Sequence, residues 1–160
     1  MASNQYMPLI YWYAREKLYR HMYDECNRLD KGGRGDTIIL FWKAVAAGMD
    51  DKTSEAIRNL QSLKDKRDSQ LAVLYALRHF YQIEGKKSRL DSVALEEVNR
   101  SLTSAQQQSN NNAKILAATF NYLMDEVETR ETAKRLLDVI CEQALTRGET
   151  NLTPLEKDAC

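Results

Sequence analysis

The residues able to do covalent, acid–base or metal chemistry are few and scattered. Histidine occurs twice, at His21 and His79, and cysteine three times, at Cys26, Cys141 and Cys160. A Cys–His nucleophile needs thiol and imidazole within hydrogen-bond reach. His21 and Cys26 lie little more than one helical turn apart, but Cys26 falls on an apolar stripe that His21 does not share. No two cysteines have the short spacing of a zinc knuckle or a redox motif. They read as two buried thiols and one terminal thiol of a reducing compartment. Glu96-Glu97 and Asp50-Asp51 are adjacent carboxylates, and helical neighbours do not face each other, so neither pair suits acid–base work. Gly32-Gly33-Arg34-Gly35 lacks the flanking strand and the Lys-Ser/Thr of a phosphate loop. No catalytic residue, cofactor or metal is expected, and the chain is not expected to be an enzyme.

The elements that could position chemistry are helices. The chain has 160 residues, 23 basic and 23 acidic, for a formal net charge of zero. That balance argues against a nucleic-acid or membrane-surface binder, which carries a basic excess. Only two prolines occur, Pro8 and Pro154, with a long proline-free interior between them. Strand-rich folds need frequent Gly/Pro punctuation, so the chain reads as all-α. No apolar run approaches a membrane span, and the N-terminus lacks the regions of a signal peptide. A soluble, intracellular protein without direct membrane insertion is expected.

Helical periodicity places a first helix after Pro8 and a second from about Tyr19 to Leu29, stopped by the glycines between Lys31 and Gly35. Asp36 or Thr37 caps a third helix running to about Ala47, with Gly48 as its stop. A fourth carries Ala56, Leu60 and Leu63. A fifth carries Leu71 to Tyr81 and ends at Gly85. Ser88 is the expected cap of a sixth, whose apolar set is Leu90, Val93, Ala94, Leu95, Val98 and Leu102. The stretch from Gln106 to Asn112 has no apolar residue and reads as a solvated loop or frayed end. A seventh helix holds Ile115 to Val127. Thr129 caps an eighth, whose stripe is Ala133, Leu136, Leu137, Ile140 and Leu145, with Arg147 and Gly148 at its end. Thr153-Pro154-Leu155-Glu156 resembles a ninth helix start.

The helices repeat. Met22 and Ala56, Cys26 and Leu60, and Leu29 and Leu63 are each 34 residues apart, as are Tyr6 and Leu40, Ile10 and Ala44, and Tyr13 and Ala47. This is the tetratricopeptide period. A helical hairpin cannot close a core alone, so each must stack on the next. Ala44 and Ala56 supply small residues for the close approach, and Asp51 stands where such repeats often place glycine. The third pair begins in register and then drifts, which locates an insertion between Gly85 and Asn112. The fold expected is all-α: a TPR-like α-solenoid of about four helical hairpins with the start of a further helix. Residues 1–148 form the array, and 149–160 begin the next repeat, truncated.

Several runs are more specific than the period. Leu9 to His21, Phe41-Trp42-Lys43-Ala44, Asp51 to Ala56, and Leu63 to Asp68 followed by Leu71 and Leu74-Tyr75-Ala76-Leu77 stand in an order that resembles the N-terminal region of the tetratricopeptide repeat protein 21 family. Glu131-Thr132-Ala133-Lys134 extends the resemblance in outline. The glycine loop and the Gln/Asn stretch depart from the family pattern. That family supplies the large repeat subunit of intraflagellar transport complex A. The resemblance implies a non-enzymatic scaffold of cilia or flagella, with basal-body and cytoplasmic pools, acting in retrograde transport. Its implied partners are other subunits of the complex or cargo proteins, not nucleic acid. The alternative is a stand-alone TPR adaptor holding a short linear peptide in its concave groove.

In such arrays the first helix of each pair lines the concave face. The register turns Met7, Tyr11 and Arg15 inward, then Phe41 and Val45, Tyr75 and His79, and Tyr122 and Glu126. Phenols suit a half-wet surface, and aromatic residues beside Arg are common interface anchors. Tyr11, Arg15, Tyr75, His79 and Tyr122 are therefore the candidate partner-binding residues.

Overall fold

A computed structural model describes residues 7–30 and 36–147. Tyr6, the glycine loop, Gly148 and the tail from 149 lie outside the described residues, as does the side chain of Leu145. The described residues contain eight helices: α1 (Met7–Arg15), α2 (Tyr19–Leu29), α3 (Thr37–Met49), α4 (Thr53–Leu63), α5 (Gln70–Lys87), α6 (Ser92–Gln108), α7 (Asn111–Met124) and α8 (Val127–Arg147). They pair as four hairpins of an all-α, TPR-like solenoid. Each helix from α2 to α5 packs on the one before it, α6 and α7 both pack on α5, and α8 packs on α7.

The period is visible in the turns as well as the stripes. At the end of α1 the chain turns through Lys17 at φ 58°, with Leu18 N–H donating to the Tyr13 carbonyl at 2.8 Å and Lys17 N–H to that of Ala14 at 3.2 Å. At the end of α3 it turns through Asp51 at φ 67°, and Lys52 N–H donates to the Ala47 carbonyl at 3.0 Å. Both are left-handed helix ends that satisfy orphan carbonyls. Their positions differ by 51 − 17 = 34. Asp51 adopts the conformation expected of it without glycine.

Gly48 is not a stop. It lies inside α3, where a Cβ would sit 2.5 Å from the Phe80 ring and 2.9 Å from the Ala56 Cβ. Its lack of a side chain lets α3, α4 and α5 approach. Gly85 likewise lies within α5, under Leu90, whose Cδ1 would be 2.6 Å from an added Cβ. Because α5 runs on to Lys87, Ser88 serves as its C-cap, its N–H donating to the Glu84 carbonyl at 2.9 Å. The cap of α6 passes to Asp91, which accepts from Ala94 N–H at 3.1 Å.

The insertion between Gly85 and Asn112 went into helix instead of loop. The glutamines continue α6 to Gln108, as good helix formers can once Ala105 is anchored. Only Ser109 and Asn110 separate α6 from α7, and Asn110 caps α7 by accepting from Ala113 N–H at 2.8 Å. Thr129 lies in the first turn of α8, not at its cap. Its hydroxyl accepts from Glu126 N–H at 2.9 Å, the reciprocal half of a capping box.

Trp42, Phe41, Phe80, Phe120, Ile10, Met22, Leu60 and Leu71 are fully buried. Cys26 is a buried free thiol whose pKa burial pushes up to about 12. Cys141 corrects the expectation of unpaired thiols: it is half-buried and disulfide-bonded. It follows Ile140 and so falls off the buried stripe of α8. No helix of the described residues is long and apolar enough to cross a membrane.

Candidate functional site

The concave face expected to be open is filled. Phe120 of α7 packs edge-on against Phe41 of α3 at 5.9 Å and against His79 of α5 at 6.1 Å. Helix α7 also touches α1. Phe41, Val45 and Met7 are therefore core residues, while Glu126 is exposed.

The five candidate residues fall into three separate places. Tyr11 is half-buried, its ring edge-on to Trp42 at 5.5 Å, and desolvation raises its hydroxyl pKa. Arg15 and Tyr122 meet at a small cleft between α1 and α7, which Ala14, Lys17, Leu123 and Asp125 also line. Tyr122 is 59% exposed. Tyr75 and His79 lie one turn apart on α5, but neither is half-wet: they are 4% and 8% exposed. Burial pushes the His79 imidazole pKa down, opposed by the charge of Glu126. The correction at both positions has one cause. The packing of α6 and α7 onto α5 covers a face that would line an open groove in a regular array.

What this covering creates is a polar cleft of about 320 Å³ between α5, α6, α7 and α8. Tyr75 and Arg78 come from α5, Gln106 from α6, Lys114 from α7, and Thr132, Arg135, Leu136 and Val139 from α8. Gln106 Nε2 donates to the Tyr75 hydroxyl at 2.6 Å, and the Arg78 guanidinium lies 5.2 Å from the Tyr75 ring centroid. Arg135 reaches the Thr132 hydroxyl at 3.4 Å. Lys114 is 7% exposed. A second chamber shares Tyr75, Arg78, Thr132 and Arg135 and adds Glu126, Glu128 and Glu131. Arg78, Lys114 and Arg135 were not anticipated. Lys114 had a legible signal: it lies four residues before Ala118 and seven before Asn121, so the three share one buried face of α7.

The sequence model described as the tetratricopeptide repeat protein 21 N-terminal ARM repeat matches residues 10–152. The chain belongs to this family. Tetratricopeptide repeat protein 21B of Xenopus laevis is 25% identical over 131 residues, which is 81% of this chain and 10% of the relative. The Homo sapiens and Mus musculus proteins of the same name are 28% identical over 89 residues, 56% of this chain and 7% of each relative. The chain thus spans a tenth or less of the length of these relatives. The helix spacing accommodates both repeat names in the family's description. From α3 to α5 the start advances by 70 − 37 = 33 residues, close to a tetratricopeptide unit, and from α5 to α7 by 111 − 70 = 41, an armadillo length.

Proposed function

We propose that this tetratricopeptide repeat protein 21 family chain is a non-enzymatic scaffold segment of the ciliary intraflagellar transport A complex, supporting retrograde transport. The carrying observation is the family match across residues 10–152 on a stacked helical array. Such arrays present extended surface to protein partners. The adaptor alternative needs an open concave groove, and Phe120 occupies that space. The proposed partners are other complex subunits or cargo proteins, met in the cilium or flagellum, at the basal body or in the cytoplasmic pool. The test is expression of the tagged chain in ciliated cells. Ciliary localisation with co-purification of the known complex A subunits is expected. A folded chain that stays outside cilia and recovers none of them overturns the proposal.

A further inference from the structure

We infer that the cleft between α5, α6, α7 and α8 is an anion-binding site that takes a phosphate or carboxylate group borne by a protein partner. Three cations line its first chamber: Arg78, Lys114 and Arg135. No carboxylate lines that chamber. None of the three makes an ion pair with a described acidic residue. Lys114 is the decisive group. It is more than nine-tenths buried, lines the cleft, and its ammonium has no hydrogen-bond or ionic partner among the described residues. Its stem is buried while its ammonium stays accessible from the cleft, so an anion entering there would meet an unpaired counter-charge.

The surrounding donors suit that ligand. Arg78 is held over the Tyr75 ring, which fixes its planar fork for bidentate pairing with an oxyanion. The Tyr75 oxygen accepts from Gln106, so its own O–H remains free to donate. The Thr132 hydroxyl donates to the Glu128 carbonyl at 2.9 Å and accepts from Arg135, so it positions Arg135 at the cleft and is not itself a donor to the anion. Leu136 and Val139 make one wall of the cleft apolar. Glu126, Glu128 and Glu131 line the adjoining chamber and repel an anion from that side. The anion is thereby confined to the end that holds Lys114.

The site is read from the cleft alone, whereas the source of the anion rests on the scaffold reading. The experiment uses the whole chain at fixed ionic strength. Inorganic phosphate is titrated first, followed by three otherwise identical Gly-Ser peptides whose central residue is phosphoserine, glutamate or serine. Binding is read by calorimetry and by amide shifts at Lys114, Thr132 and Arg135. Phosphate and at least one acidic peptide should bind, the peptide about tenfold or more tighter than the serine control. Preference for phosphoserine or for glutamate identifies the source. Lys114→Met keeps the stem and removes the charge. It should abolish most of that binding while the unliganded variant melts no lower than the parent. Lower melting would show that the charge is satisfied inside the fold and would overturn the site, as would undiminished binding. Phosphate binding with neither acidic peptide bound would overturn the partner-borne assignment. A chain that binds no anion yet co-purifies with complex A subunits would sink this inference and leave the scaffold reading standing.

Discussion

Helices α3 and α6 occupy similar lengths of sequence and are used in opposite ways. Eight of the 13 residues of α3 are buried, from Ile39 to Gly48, against three of the 17 in α6, namely Val98, Leu102 and Ala105. The difference follows from neighbours. Helix α3 is packed by α2 and α4, touches α5, and meets α1 and α7 through Trp42 and Phe41. Helix α6 lies chiefly along α5. A helix enclosed on all sides must be apolar all round, whereas one packed on a single side needs only a stripe. Regular stacking therefore holds in the first two hairpins. The third departs from it: α6 and α7 both pack on α5 and share the space beside it.

The largest effect that tests this contrast is Ala56→Arg. Ala56 is fully buried where α4 meets Gly48 of α3. An arginine there is both overpacked and stripped of water, so a loss on the order of 4 kcal/mol is expected. A variant that melts with the parent would show that the first two hairpins do not stack in the 34-residue register.

Phe120→Ala probes the other side of α3. Phe120 closes the concave face against Phe41 and His79 and is fully buried. Deleting its ring should cost about 3 kcal/mol through lost burial and an unfilled cavity. Chemical denaturation would read the change. A loss near zero would mean that the face is open after all and would restore the groove that the repeat pattern predicts.

A smaller, pH-dependent effect comes from His79. Its pKa is lowered from 6.5 in the fold by burial, with Arg78 and Lys86 adding to the shift and Glu126 opposing it. The folded state therefore holds fewer protons than the unfolded chain below that value. The stabilisation is fully present above pH 6.5 and is lost as pH falls toward the depressed folded pKa. The difference in melting temperature between the parent and His79→Gln should shift against the parent over that range. A constant difference would place His79 in water and undo the covered face.

These contrasts mark how far the sequence was legible. The stripe of Met22, Cys26, Ala56, Leu60 and Leu63 and the left-handed Asp51 could be read because they depend on contacts within and between adjacent hairpins. The glycines were misleading because Gly48 and Gly85 answer to packing, not to helix ends. Tyr75 and His79 share one face of α5, as their spacing implies, but a one-chain pattern cannot show that α6 and α7 cover that face. The cleft lysine was missed for the same reason: the cleft it lines forms only where four helices converge.

The smallest expected effect is at Val93. It stands in the first turn of α6 among the apolar residues that the sequence pattern assigned to that helix, yet it is 73% exposed. A residue so exposed gives up little apolar burial when shortened or made polar. Val93→Ser should therefore change stability by no more than about 0.5 kcal/mol in either direction. Leu102 provides the internal control, because it lies on the same helix and is buried against the core cluster. Leu102→Ala should cost roughly 2 kcal/mol or more. The gap between the two variants measures how narrow the packed stripe of α6 is. Equal losses would mean that α6 is enclosed as α3 is, and that the third hairpin stacks like the first two.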